Sequence, residues 1–207
     1  MLLLDVPVVF MCPDHNEKYR QRKEYMFDFL QKLGFKNVTM FKSGTELYPR
    51  CHIQATYDIL KSHIDDSPFL FLEDDVELTE WGNDMNIDIP DNTDAFYLGF
   101  SKYAGSLTNQ CGNGYNSVEI SYISDKFIHI INMLSHHAVL YISKRYKEAV
   151  MNQMETLLNS DQFAWTDVTI SRIQSKFNIY AYKYPFFYQS DKLGNHPDLK
   201  DATNFRF

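Results

Sequence analysis

The sequence predicts an α/β fold built on a mostly parallel sheet, and three observations predict it. The first third alternates strand, helix, strand, helix, strand, the order that sets parallel strands side by side under covering helices. The strand candidates are continuous apolar runs, as in strands buried on both faces. The 207 residues, 44% hydrophobic and 23% charged, have globular proportions and suffice to bury a real core. Disordered, collagen-like and coiled-coil readings fall outside those proportions.

The elements run in chain order. Val6 to Cys12 is the first strand, apolar except where Pro7 interrupts it, and Pro13-Asp14 turns the chain. A helix is expected from Glu17 to Leu33, with Tyr25, Phe29, Leu30 and Leu33 on one side and Gly34 as its stop. Val38 to Phe41 is a second strand. Pro49 starts another helix, whose Ile53, Tyr57, Leu60 and Ile64 recur at helical spacing. Phe69 to Leu72 is a third buried strand, ending in Glu73-Asp74-Asp75. Ala95 to Phe100 is a fourth. Ser101 to Ser117 reads as a loop rich in Gly, Asn and Ser. Val118 to Ile123 and Phe127 to Ile131 alternate as strands, and Ala138 to Ile142 is another apolar strand. Ser143 caps a helix through Leu158, Trp165-Thr166-Asp167 opens a further helix to about Ser175, and Ile179 to Tyr182 is the last strand. The tail from Gln189 is polar and either folds over the site or hangs free. With no internal repeat and no low-complexity linker, residues 1–207 read as a single domain.

Composition bounds the function. Twenty basic against twenty-seven acidic side chains give a net charge of -7, a poor match for nucleic acid or an anionic membrane. Three scattered cysteines, Cys12, Cys51 and Cys111, make neither a disulfide framework nor a zinc knuckle, and point to a reducing compartment. The apolar start, Met1 to Pro13, lacks a basic region and a cleavage site, so no signal peptide is expected. No later apolar run is long enough to cross a bilayer. The expectation is a cytoplasmic protein.

The feature that carries chemistry is PFLFLEDDVEL, residues 68–78, in which a short apolar strand delivers three consecutive carboxylates to its end. Like charges side by side are costly unless something positive binds there. Oxygen ligands favour a hard divalent cation, Mg2+ or Mn2+, which in turn recruits phosphate oxygens. The plainer alternative is a solvated acidic turn. Ligands of parallel sheets bind beyond the carboxyl ends of the strands, where Cys12-Pro13-Asp14 and Glu73-Asp74-Asp75 both sit.

Leu72-Glu73-Asp74-Asp75-Val76 resembles the LEDDV hallmark of family 25 among the GT-A fold, nucleotide-sugar-dependent glycosyltransferases. Weaker likenesses accompany it. Arg22-Lys23 resembles that family's early basic pair, and Arg50-Cys51-His52 its Gly-Cys segment, although the following Ser-His is replaced by Gln54-Ala55. His137 to Ser143 resembles its strand before a helix. The resemblance implies a GT-A (Rossmann-like) fold, a mixed, mostly parallel central sheet with helices on both faces. It divides the chain into a nucleotide-sugar-binding half, 1–100, and an acceptor-binding half, 101–207.

It also implies a hexosyltransferase that uses Mn2+ or Mg2+ and a nucleoside-diphosphate sugar, UDP being the usual carrier. A hexose or deoxyhexose would pass to a glycan or glycoprotein acceptor, with no nucleic acid and no membrane insertion involved. The chain would act as a monomer or as a module of a longer polypeptide. On the family's pattern Asp75 is the metal ligand, Glu73 assists directly or through water, and Asp74 approaches the donor's ribose or sugar. His196 is a candidate additional ligand. Cys12, Pro13, Asp14 and His15 would line the donor's base, with Arg22 near its phosphates or base and Lys42, Ser43 and Gly44 within reach. Asp167 is the candidate general base of an inverting transfer, Asp161 and Asp191 being held in reserve. Trp165 is a candidate platform for the acceptor sugar.

His136 and His137 are not expected to share a metal, because adjacent side chains of a strand point to opposite faces. The loop from Gly105 to Gly114 lacks a phosphate-cradle spacing and reads as a mobile acceptor-side loop or plain surface. Competing functions are glycoside hydrolysis by paired carboxylates, which needs them apart and flanking the bond, and a non-catalytic carbohydrate-binding module.

Overall fold

The computed structural model describes residues 1–44, 46–100, 103–104, 116–117, 119–122, 124–162, 164–190 and 192. After a short 3-10 turn at Leu3–Asp5, the elements are β1 (Val8–Cys12), α1 (Glu17–Leu33), β2 (Val38–Lys42), α2 (Arg50–Ser62), β3 (Phe69–Glu73), β4 (Val76–Leu78) and β5 (Ala95–Tyr97). Next come β6 (Tyr103–Ala104), β7 (Asn116–Ser117), β8 (Glu119–Tyr122), β9 (Phe127–Asn132), β10 (Ala138–Tyr141), α3 (Lys144–Leu158), α4 (Thr166–Gln174), β11 (Ile179–Tyr182) and β12 (Phe187–Gln189).

Among the described residues eight strands form the main sheet, in the order β2-β1-β3-β10-β5-β11-β9-β8. β1 is parallel to both β2 and β3, and β11 is parallel to β5. β10 runs against β3 and β5, and β9 runs against β11 and β8. All strands of this sheet but β10 and β9 therefore share one direction, as expected of a mixed, mostly parallel sheet.

Strand alternation divides the core in two. On one face Val9, Met11, Phe69 and Phe71 pack against Ile53 and Ile59 of α2, Val150 and Met154 of α3, and Ile170 and Ile173 of α4. On the other face Val8, Phe10, Leu70 and Leu72 pack against Met26 and Leu30 of α1. Helices thus cover both faces, and a strand clothed on both sides has no reason to alternate polar with apolar residues.

Local chemistry sets the element ends. β1 starts at Val8 rather than the expected Val6, because Pro7 has no N–H to give the ladder. Asn16 caps α1 by accepting from the Tyr19 amide at 3.1 Å, and Gly34, at φ 94°, takes the left-handed turn that ends it. Ser143 caps α3 as the sequence suggests, accepting from the Tyr146 amide. The buried stripe of α1 differs from expectation. It is Arg22, Met26 and Leu30, with Tyr25, Phe29 and Leu33 at its margin. On α2 the buried set is Ile53, Ala55, Thr56, Ile59 and Leu60, and Ile64 lies beyond the helix end at Ser62.

Asp94, just before β5, ties three segments together. Its carboxylate accepts from Ser143 Oγ at 2.5 Å, from Arg145 Nε at 2.6 Å and Arg145 Nη2, and from the Asn178 amide at 2.9 Å. Its carbonyl accepts from the Ile142 and Ser143 amides. β5, the start of α3 and the start of β11 are thereby held in register.

The Asp94 side chain is only 2% exposed. Burial raises its pKa, but the hydrogen bonds from Arg145, Ser143 and the Asn178 amide outweigh that and hold it below its ordinary 3.8. A depressed carboxylate contributes stability that is present above its unfolded pKa and lost as pH falls through the folded one. Asp94→Asn should lower unfolding free energy by about 2–4 kcal/mol in urea titration at pH 7. The gap between variant and parent should shrink below about pH 4.

Candidate functional site

The carboxyl ends of β2, β1 and β3 lie level, since Cys12 pairs with Lys42 and Met11 with Glu73. Beyond them opens a cavity of 410 Å³, lined by Met11, Pro13, Lys18, Tyr19, Arg22, Ser43, Tyr48, Cys51, His52, Glu73, Asp74, Asp75 and Gln189.

The alternation that divides the core also separates the carboxylates. Phe69 and Phe71 face α2 and α4, so Glu73 faces them too. One Glu73 oxygen lies 3.2 Å from His52 Nε2, near the start of α2, and His52 Nδ1 lies 2.7 Å from Thr166 Oγ1 at the start of α4. The other oxygen accepts from Gln189 Nε2 at 2.8 Å. Gln189 arrives because β12 pairs antiparallel with β4, setting it opposite Val76.

Asp74, one residue on, meets Arg22 of α1. Arg22 Nη1 donates to Asp74 at 2.8 Å, and Nη2 lies 3.4 Å from Asp75. Arg22 is 7% exposed, because its position four residues before Met26 continues the buried stripe of α1. Arg22 thus belongs to the buried face of α1 and not to its solvated one.

Arg22 faces two aspartates, and each aspartate keeps a buried oxygen, Asp74 Oδ2 and Asp75 Oδ1, without a hydrogen-bond partner among the described residues. Burial, then the neighbouring charges of Glu73 and Asp74, push the Asp75 carboxyl up to about 7. Burial also raises Asp74 against the pull of Arg22. Glu73 goes the other way. Burial acts to raise it, but the hydrogen bond and field of His52, with the fields of His136 and His137, hold it down. The strand end is thus short of positive charge. Two unpartnered carboxylate oxygens beside a third carboxylate form a donor set that fits a hard divalent cation.

The two histidines before β10 reach the same corner because β10 runs backward. It pairs Ala138 with Leu72, so the start of β10 meets the end of β3, and Glu73 N donates to the His137 carbonyl at 2.9 Å. His136 stacks on Phe71 with ring centres 4.3 Å apart, and its Nε2 lies 2.8 Å from the Tyr141 hydroxyl. Burial, then the field of His52, brings the His136 pKa down to about 3. His137 turns to the other face. Its Nδ1 meets Ser135 Oγ at 3.0 Å, and its ring occupies the space a Cβ on Gly99 would need. Gln174 of α4 holds the preceding loop, accepting from the Met133 amide at 2.7 Å and donating to its carbonyl at 3.0 Å.

Of the residues singled out in the sequence, Pro13, Arg22, Ser43, Glu73, Asp74 and Asp75 line the cavity. Cys12 does not. It is fully buried in the α1-side core, donates to the Tyr19 carbonyl, and burial lifts its thiol to about 12. Asp14 is held by Lys23 at 3.1 Å, and His15, Lys42 and Gly44 are exposed. Asp167 follows Thr166 in the first turn of α4. Its Oδ1 accepts from the Val168 amide, and burial, joined by the field of Glu73, raises its pKa. Trp165 packs on Tyr48 with ring centres 4.9 Å apart. Asp161 lines a separate cavity of 280 Å³ between α2 and α3. Asp191, His196 and the loop from Gly105 to Gly114 lie outside the described residues.

Sequence reasoning gave no role to His52, His136 or Gln189. His52 stood in the Arg50-Cys51-His52 segment without one. The opposite-faces argument removed His136 and His137 as a pair, and it says nothing about either paired with a third residue.

No protein-family model matches the chain, and no curated protein does. Several solved structures are similar to it. One is a glycosyltransferase involved in glycosylation of the major capsid of PBCV-1, at 12% identity over 80% of this chain and 73% of that one, with a TM-score of 0.47. A nucleoside-diphosphate-sugar pyrophosphorylase from Vibrio cholerae is 12% identical over 86% of this chain and 73% of that one, with a TM-score of 0.45. The glycosyltransferase GlyE of Streptococcus pneumoniae is 13% identical over 84% of this chain and 45% of that one, with a TM-score of 0.39. At these scores none of them carries an argument about activity, which has to come from the site.

Proposed function

We propose that the chain is a metal-dependent glycosyltransferase that moves a hexose or deoxyhexose from a UDP-linked sugar to a glycan or glycoprotein, with inversion. The observation that carries the reading is the charge deficit at the end of β3. Asp74 and Asp75 share Arg22 there, Glu73 stands beside them on the other face, and one buried oxygen of each aspartate has no hydrogen-bond partner among the described residues, in the lining of a cavity beyond parallel strand ends. Asp75 and Glu73 are the residues that would hold Mn2+ or Mg2+. Such an ion supplies neutralisation of the charge that develops on the departing diphosphate.

The chain's own groups do the rest. Arg22 fixes Asp74 and Asp75, so their free oxygens are presented without rearrangement. Pro13, Tyr19 and Ser43 form the wall of the donor pocket. Asp167, raised by burial, takes the proton of the acceptor hydroxyl, since a carboxylate of elevated pKa is the better base. Trp165 and Tyr48, the latter 61% exposed, give the acceptor sugar an aromatic surface. Hydrolysis by two flanking carboxylates is less well supported, because Asp74 and Asp75 share one arginine instead of standing apart.

Calorimetry with a panel of nucleoside-diphosphate sugars, with and without Mn2+, tests the reading. A UDP-sugar should bind, and binding should weaken sharply without the ion. Binding of none of the panel in either condition would overturn the proposal. Asp75→Asn should reduce turnover by about 100-fold or more with an unchanged circular dichroism spectrum. Asp167→Asn should lower kcat more than it raises KM.

Removing the arginine tests the charge deficit itself. Arg22→Met should cost about 3–5 kcal/mol of stability, since it strands two buried carboxylates. Mn2+ should raise the melting temperature of that variant by more than it raises the parent's. Equal shifts in the two proteins would argue against an ion among these carboxylates.

A further inference from the structure

We infer that His52, Glu73 and His136 form a site for a divalent transition metal of the zinc class, next to the hard cation proposed at Asp75 and sharing Glu73 with it. One ring nitrogen of each histidine and one Glu73 oxygen lie within 4.8 Å of one another. The set comes from three elements whose proximity the fold enforces, the start of α2, the end of β3 and the residues before β10.

Three features favour a metal over a plain hydrogen-bond network. The first is an unpartnered donor atom. His136 is 3% exposed, and its Nδ1 has no hydrogen-bond partner among the described residues, an expensive state for a buried polar atom. The second is the orientation of both rings. A hydroxyl engages one nitrogen of each, Thr166 Oγ1 at His52 Nδ1 and Tyr141 Oη at His136 Nε2. Metal-bound histidines are held in this way, the far nitrogen giving its proton to an outer partner.

The third is spacing. The 3.2 Å between His52 Nε2 and Glu73 Oε1 matches the ~3.3 Å expected of two ligands about 2.0–2.1 Å from a tetrahedral zinc. His52 and Glu73 are the less buried members, so theirs are the side chains that would turn toward His136 to close on an ion. Two imidazoles and one carboxylate suit zinc, and suit magnesium poorly. His52 and Glu73 also line the cavity, so the fourth coordination position opens toward it.

The inference needs no nucleotide and can be tested apart from the transferase reading. The full chain, stripped with chelator, is titrated with Co2+ in nucleotide-free buffer while visible absorption is followed, and Zn2+ is then added as competitor. One equivalent of Co2+ should give the strong colour of a four-coordinate site, and Zn2+ should displace it. His52→Ala and His136→Phe should each weaken binding by at least about 10–100-fold, while Asp75→Asn should leave it within about threefold. Circular dichroism checks that each variant folds. Should His136→Phe fail to fold, the more exposed His52→Ala carries the test. No saturable binding by the parent, binding unchanged in the folded histidine variants, or binding lost in Asp75→Asn would each overturn the proposal. Loss of UDP-sugar binding with the cobalt colour intact would overturn the transferase reading alone.

Discussion

The site depends on one constraint, that consecutive residues of an extended chain point to opposite faces of a sheet. β3 is covered on both faces, so the residues after Leu72 are delivered alternately to different helices. Glu73 is handed to the side of α2 and α4, where the imidazole of His52 receives it and the Thr166 hydroxyl holds that imidazole. Asp74 is handed to α1, where a guanidinium does. The run of three acids is therefore two half-sites back to back, sharing a wall of backbone. The pKa values obey that division. Glu73 has His52 beside it and is held low, whereas burial pushes Asp74 and Asp75 up against the pull of the one arginine they share.

Much of the fold was legible in the residues, because its signals are local. The limits of α1, α3 and β11 come from Gly34 and Ser143 and from short apolar runs. The strand-helix alternation before residue 75 gave the parallel β2-β1-β3 unit and the end at which a ligand belongs. What stayed hidden was pairing at long range. Nothing in Ala138-Val139-Leu140-Tyr141 says that it runs against its neighbours, since an apolar tetrapeptide reads alike in both directions. β4 and β12 are too short to show a period, and their partnership spans more than a hundred residues.

The site was legible to the same depth. The acidic run declared itself, and Arg22 was noticed, although its burial was not foreseen. An arginine in a helix reads as solvated until the stripe of Met26 and Leu30 is extended one turn back. His136 was hidden by the unseen direction of β10 and Gln189 by the unseen pairing of β12 with β4. Cys12 shows the converse error. Proximity in sequence to a strand end placed it near the pocket, and alternation turns its side chain into the core.

The reversed strand also interlaces the two ends of the polypeptide. β5 comes from the earlier part of the chain, yet it touches β3 nowhere in the ladder, since β10 lies between them and β11 closes its far edge. A fragment ending near residue 100 would have a gap in its sheet one strand wide, and the complementary fragment would hold the missing plank with nothing to nail it to. Neither piece could be expected to stand alone, and only their co-assembly would rebuild the corner where the acids and histidines meet.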